Sequence, residues 1–265
     1  MAAEFYAEMP QASGEAVEML LAEFVKRTKE AAARYFELWT PAHAQIGGML
    51  VAHGFAGFRR QLRSLERPME SAPRWNDFRF ISLRNLGSGN TGIQGLATFL
   101  HEAYLGSADG DFYEEYKDCQ QCQRYLSRVL ASPYCDFQNS WIAWSPQANT
   151  AAGLALCYIW PGARGLYLEQ LAVHPTFRGK GLAKVLLSRV SSALLDGSLT
   201  RILSTVSANN SAGIRLYESV GAHVLDYETA YVKKSPTSET YPNQQDTTSS
   251  TRCRDEITAA ATVGP

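Results

Sequence analysis

The stretch Leu166–Leu187, LYLEQLAVHPTFRGKGLAKVLL, restricts the fold more than any other part of the chain. Leu166–Val173 is an apolar, β-prone run that stops at His174-Pro175, and the residue before a proline is pushed to an extended conformation. Leu182, Val185, Leu186, Val190, Ala193 and Leu194 then recur at helical spacing, so the stretch reads as strand, tight loop, helix. The loop is Arg178-Gly179-Lys180-Gly181. Its glycines let the backbone turn N–H groups inward. Those groups, the helix dipole and two cationic side chains make a site for an anion, most naturally a phosphate.

Three kinds of phosphate loop share this outline. A Walker A loop needs Ser or Thr directly after Gly-Lys, whereas Gly179-Lys180 is followed by Gly181 and Leu182. A dinucleotide turn needs a third glycine, and Lys184 stands in its place. The pattern that remains, RGKGLA over Arg178–Ala183 after a strand, resembles the coenzyme A pyrophosphate loop of the GNAT superfamily of acyltransferases.

Upstream, Val17, Leu20, Leu21, Phe24, Val25 and Ala32 form one stripe of an amphipathic helix predicted from Ser13, its N-cap, to about Trp39. A second helix is predicted over Ala42 to about Glu66, weakened by Gly47, Gly48 and Gly54. Arg59, Arg60, Arg63 and Arg67 read as its solvated basic end. Pro68–Pro73 is a linker, which divides the chain into an N-terminal helical extension (1–73), a domain (74–233) and a disordered Ser/Thr/Gln/Asn-rich tail (234–265). Within the domain, Phe78–Arg84 alternates as a strand, and Ile93–Tyr104 and Phe112–Leu130 are helical. Trp141–Trp144, Gly153–Trp160 and Arg201–Ser207 are strands. Asn210 caps a helix that runs to Val220 and is closed by Gly221; one or two strands follow over His223–Val232.

That order is similar to the element order of the GNAT fold, over about Phe78–Lys233. A second segment, NSAGIRLYESVGA at Asn210–Ala222, resembles the family's last helix, in which the asparagine touches the coenzyme and the tyrosine faces the thioester sulfur. The resemblance implies an α/β fold with a central mixed, mostly antiparallel twisted sheet flanked by helices. It also implies transfer of an acetyl group from acetyl-CoA to a primary amine by direct attack in a ternary complex. On this template the backbone of Leu171, Ala172 and Val173 receives the pantetheine arm. Arg178, Gly179, Lys180, Gly181, Leu182, Ala183 and the amide of Lys184 hold the pyrophosphate, and Asn210 and Tyr217 also touch the coenzyme.

The chemistry defines two further roles. An alkyl ammonium, of pKa about 10, must lose a proton before its nitrogen can attack. The departing thiolate must gain one. Glu169 lies in YLEQLAV, which resembles the YLED segment of diamine and polyamine acetyltransferases, where the Glu is the proposed general base, partly through water. The same position also suits an exposed strand glutamate with no such duty. Tyr217 matches the family's helix tyrosine, the proposed general acid for the thiolate. A backbone N–H beside them is the expected oxyanion donor.

Net charge −1 supplies no basic field for nucleic acid or anionic membrane. No apolar run is long enough to span a bilayer, and Glu15, Glu18 and Glu23 interrupt any leader-like segment, so a cytoplasmic location is expected. Cys119-x-x-Cys122 falls in a predicted helix with no second pair at ligand spacing, so no metal is expected. His174 and His223 read as loop residues, and Cys157, Trp141, Trp144 and Trp160 as core or rim. Glu102, Asp109, Asp111, Glu114 and Glu115 are candidates to attract a cationic acceptor, or solvated helix ends. The expected acceptor is a small amine. The alternatives are a protein N-terminus or lysine, and a non-catalytic acyl-CoA-binding module. The N-terminal helices are open to three roles: covering the acceptor groove, forming a homodimer, or stabilising the sheet.

Overall fold

The structure, a computed structural model, describes residues 19, 22–23, 26, 35–41, 47–69, 75–85, 90–160, 164–195 and 197–234. In chain order its elements are β1 (Tyr35–Pro41), α1 (Gly47–Ala52), β2 (Ala56–Leu65), β3 (Arg79–Ser82), α2 (Asn90–Tyr104), α3 (Ala108–Phe112), α4 (Cys119–Leu130), β4 (Trp141–Ser145), β5 (Thr150–Trp160), β6 (Gly165–Val173), α5 (Leu182–Ser191), β7 (Arg201–Ser207), α6 (Ser211–Ser219) and β8 (His223–Lys234). They fall into two compact units. One takes in the described residues up to Leu62, Val206–Ala208 and those from Val224 on; the other takes in those of Arg63–Thr205 and Asn209–His223.

In the larger unit β3, β4, β5 and β6 pair antiparallel in sequence, and β7 joins β6 in parallel. This is the mixed, mostly antiparallel sheet that the resemblance implies. Helix α2 packs on α4, β5 and β6, and α5 packs on β4, β5 and β6. The predicted stripe Leu182, Val185, Leu186 and Val190 is buried, together with Leu187 and Ser191. Gly153 on β5 admits this helix, because a Cβ there would lie 2.8 Å from Leu186 Cδ1. Each fully buried leucine contributes about 1.5–3 kcal/mol. Side-chain packing on the sheet therefore anchors α5, and the glycine loop that precedes it is carried along.

The helix predicted over Phe112–Leu130 is broken. Ser107 caps α3 by accepting from the Gly110 N–H at 3.0 Å, and a Cβ on Gly110 would collide with the Tyr104 carbonyl. Tyr113 is extended, at φ −88° and ψ 129°, and a 3-10 turn over Glu114–Tyr116 follows it. Asp118 then caps α4 by accepting from the Gln121 N–H at 2.7 Å. The break turns Tyr113 and Tyr116 into the interior, where both are buried.

In the smaller unit the helix expected over Ala42–Glu66 is overturned. Among the described residues of that stretch only Gly47–Ala52 is helical. Gly54, at φ +82°, closes that helix with bonds from Gly54 N–H to the Val51 carbonyl and from Phe55 N–H to the Leu50 carbonyl. β2 follows and neighbours β8, with β1 on the other side of β8; the β1–β8 register runs from Tyr35↔Lys234 to Pro41↔Glu228. The end of the first predicted helix is therefore strand at 35–39; of the rest, the described Met19, Ala22, Glu23 and Lys26 are helical as expected, and the other residues lie outside the described ones. A strand wins because a partner strand distant in sequence pairs with it, which helical spacing cannot reveal. The arginines are not a solvated helix end. Arg59 lies 4.7 Å over the Tyr227 ring, and Arg60 pairs with Glu228 at 4.0 Å. In the larger unit Arg63, 4% exposed, donates to the Ala222 carbonyl and to Glu218. The tail from 235 on lies outside the described residues.

Candidate active site

β6 supplies most of the site and has two irregularities. Its pairing with β5 slips where Leu168 faces Cys157 and Gln170 faces Leu156, leaving Glu169 as the extra residue of a β-bulge. Its parallel ladder with β7 covers only Gly165–Tyr167 against Arg201–Leu203, yet β6 runs on to Val173. The strands part beyond Tyr167. Leu171, Ala172 and Val173 keep their pairing to Ala155, Leu154 and Gly153 on one edge, so alternate backbone groups face away from β5 into the opening.

A bulge breaks the in–out alternation of a strand, and here it directs both Glu169 and Gln170 to the same partner. Tyr125 donates its hydroxyl to Glu169 Oε1 at 2.7 Å. The Gln170 amide nitrogen donates to Tyr125 Oη at 2.7 Å and to Tyr116 Oη at 2.6 Å, and Gln170 Oε1 accepts from Tyr104 at 2.8 Å. Tyr104 and Tyr116 stack at 3.9 Å between centroids, and Tyr113 and Tyr125 meet Tyr116 edge-on. Burial pushes the Tyr116 and Tyr125 phenols well above their usual range, and for Tyr125 the Glu169 charge acts in the same direction. Both tyrosines are therefore neutral hydrogen-bond donors at physiological pH. None of these tyrosines carries a sequence motif. Only their positions on the faces of α2, the 3-10 turn and α4 that pack toward β6 mark them.

The glycine loop is exposed from Arg178 to Gly181. Gly179 and Gly181 have φ +74° and +86°, and neither would meet a close atom with a Cβ, so the demand for glycine is conformational. The amides of Gly179, Lys180, Gly181, Leu182 and Ala183 have no backbone acceptor among the described residues. Two expected contributions differ. The Lys184 N–H donates to the Gly181 carbonyl at 3.0 Å, inside the first turn of α5. The Arg178 guanidinium donates to the carbonyls of Val173, at 3.0 Å, and Ala103, tying the loop to β6 and α2. Lys180 Nζ lies 5.9 Å over the Phe177 ring.

On α6, Tyr217 is buried and its hydroxyl is 2.5 Å from Ser204 Oγ on β7. Asn210 caps α6 by accepting from the Gly213 N–H at 2.8 Å. His174 accepts from the Thr176 N–H at Nδ1, which leaves the proton on Nε2 to bond Glu102 at 3.2 Å. Glu102 is thus committed to a histidine. Cys119 is exposed, while Cys122 is buried with its thiol pushed up to about 12, first by burial. Among the described residues no three His, Cys, Asp or Glu side chains are grouped as a metal site, and no helix is long and apolar enough to cross a membrane.

The family model of the acetyltransferase (GNAT) family matches residues 97–222, which contain the bulge, the glycine loop, Asn210 and Tyr217. Over that segment, just under half of its length, the chain is similar to the GNAT acetyltransferases. Relatives agree. A thialysine N-epsilon-acetyltransferase of Sus scrofa is 31% identical over 84 residues, 30% of this chain and 49% of that protein. An acetyltransferase of Yersinia enterocolitica is 41% identical over 59 residues, 22% of this chain and 38% of the relative. The chain thus spans about half the length, or less, of these curated relatives. Among solved structures, a GCN5-related N-acetyltransferase from Sphaerobacter thermophilus superposes with a TM-score of 0.59 at 15% identity, covering 85% of this chain and 70% of that one. At that identity the likeness establishes the fold.

Proposed function

We propose that the protein is an acetyl-CoA-dependent N-acetyltransferase whose acceptor is a small primary amine, attacked directly in a ternary complex. The observation that carries this reading is Glu169. It is a carboxylate on the bulged residue of β6, beside the strand parting, within the segment similar to this family. The likeness to a thialysine N-epsilon-acetyltransferase supports a small amine over a protein one, because that relative's name specifies the side-chain amine of a single amino acid.

In the proposed reaction the pantetheine arm lies along Leu171–Val173 and the pyrophosphate on the loop Arg178–Ala183. The amides of Gly179–Ala183 do the holding, assisted by Lys180, while Arg178 shapes the loop and Lys184 contributes charge. Asn210 sets the start of α6 beside the coenzyme. Glu169 accepts a proton from the substrate ammonium, directly or through one water, and the neutral nitrogen attacks the thioester carbonyl carbon. A backbone N–H of β6 past the parting stabilises the oxyanion. The C–N bond forms, the C–S bond breaks, and Tyr217 protonates the departing thiolate. The Ser204 hydroxyl, 2.5 Å away, stabilises the phenolate left behind. The attacking nitrogen loses its second proton, which returns Tyr217 to the neutral phenol directly or through water; the amide product and free CoA leave, and Glu169 passes its proton to solvent.

Thiol release from acetyl-CoA, measured against diamines, amino sugars, amino acids and peptides, tests the proposal. Turnover with a small amine is expected. Turnover with peptides alone selects the protein-acceptor alternative. Tight acetyl-CoA binding with no release across the panel selects a non-catalytic acyl-CoA-binding module.

A further inference from the structure

We propose that Tyr125 is a positioning residue for the Glu169 base, and that Gln170 sets the direction of its proton; this rests on Glu169 acting as the base. Counting donors and acceptors leads to it. Gln170 has two amide protons, and its nitrogen lies within 2.7 Å of two phenol oxygens, Tyr116 and Tyr125. Its carbonyl accepts from Tyr104. Tyr125 Oη therefore receives a proton from Gln170, and its own hydrogen points to Glu169 Oε1 at 2.7 Å. Reversing the Gln170 amide would bring its carbonyl against Tyr125, claim the phenol's proton and leave the Glu169 carboxylate facing a bare oxygen. The observed orientation is the one that suits an ionised Glu169.

The hydrogen bond has two effects. It fixes the carboxylate at the bulge, where a strand glutamate would otherwise sample several rotamers. It also stabilises the charged form, so that the base stays ionised despite its half-buried surroundings. Tyr125 can serve throughout the working pH range because burial keeps it neutral. The titratable and charged groups around the pair are Tyr104 and His101 on α2, Glu115 and Tyr116 in the 3-10 turn and Arg128 on α4. Cys157 faces Leu168 across the bulge on β5 and is held protonated by burial. Of these, Glu115 is negative and opposes the ionised base, which makes a neutral donor at Tyr125 more important.

The test is the pH dependence of kcat at saturating acetyl-CoA and amine, for the wild-type chain and three variants. Removing the donor in Tyr125→Phe destabilises the carboxylate, raises its pKa and moves the acidic limb about one to two pH units higher, with the alkaline plateau retained. At a fixed pH on that limb, the rate falls about tenfold for every pH unit the limb moves. Gln170→Leu leaves the phenol in place but frees its rotor, and the same limb should move up by less. A purely structural role would lower the rate at every pH without moving the limb. An unmoved limb in Tyr125→Phe overturns the inference, and if that variant does not fold, an unmoved limb in Gln170→Leu does so. Glu169→Gln separates the two levels. If it abolishes the limb while Tyr125→Phe leaves it in place, only the positioning role falls. If Glu169→Gln keeps the limb, the base assignment and the inference fall together.

Discussion

The glycine loop and the tyrosine wall lie in one domain and are built in opposite ways. The loop between β6 and α5 is contiguous in sequence, offers main-chain amides, and uses its one arginine to bind the scaffold's own carbonyls. The wall gathers Tyr104, Tyr116, Tyr125 and Gln170 from segments up to 66 residues apart and works entirely through side chains. A main-chain site tolerates side-chain changes that respect its φ angles. A side-chain network fails when any one donor or acceptor is lost, because its buried partners are then left unsatisfied.

That contrast can be broken experimentally. The largest effect is expected from Glu169→Gln, with kcat at neutral pH down by about 10³-fold and acetyl-CoA affinity unchanged in calorimetry. An unchanged pH–rate profile would remove Glu169 from the mechanism. Tyr217→Phe should lower kcat by about 10²-fold, again with little change in the KM for acetyl-CoA. Normal turnover in that variant would assign the phenol to packing. Gly181→Ala forces a Cβ into a left-handed position at a cost of about 1–2 kcal/mol. It should lower Tm and raise the KM for acetyl-CoA while sparing kcat, the reverse of the wall variants. Arg178→Ala should cost about 1–2 kcal/mol in denaturant unfolding through its two lost carbonyl contacts. A large, salt-dependent rise in the acetyl-CoA KM without loss of stability would instead make the side chain a phosphate ligand. The smallest effect concerns the cysteines of α4. At pH 8 exposed Cys119 should alkylate first, as read by peptide mass spectrometry. Cys122 should stay inert, because its thiol is pushed up to about 12 and the thiolate is the reactive form. Rapid labelling of both would mean that the start of α4 opens in solution.

Legibility in the sequence follows the same division. The strand, loop and helix around RGKGLA are found where periodicity and glycine place them, because every determinant lies within one short contiguous stretch, Leu166–Leu194. The cap at Asn210 and the closure of α6 at Gly221 are legible for the same reason. Of the two helices expected before residue 66, the first is helical at its described positions 19, 22–23 and 26 but ends in strand at 35–39, and the second gives way to β2 after Gly47–Ala52. Weak glycine-interrupted periodicity there yields to pairing with β8, nearly 170 residues away in sequence. The break at Tyr113 is also hidden, since Phe112–Leu130 has a continuous apolar pattern and only the packing of α3 under Tyr104 separates its halves.

The sequence alone determined the glycine loop between strand and helix, the family likeness and the candidacy of Glu169 and Tyr217, because each rests on local backbone conformations and neighbouring residues. Only the tertiary structure decided that Glu169 sits on a bulge, that Tyr125 holds its carboxylate, that Ser204 meets Tyr217, and that Arg178 braces the loop. Those facts depend on strand register and on which side chains distant segments bring within 3 Å, and neither quantity is encoded by spacing along the chain.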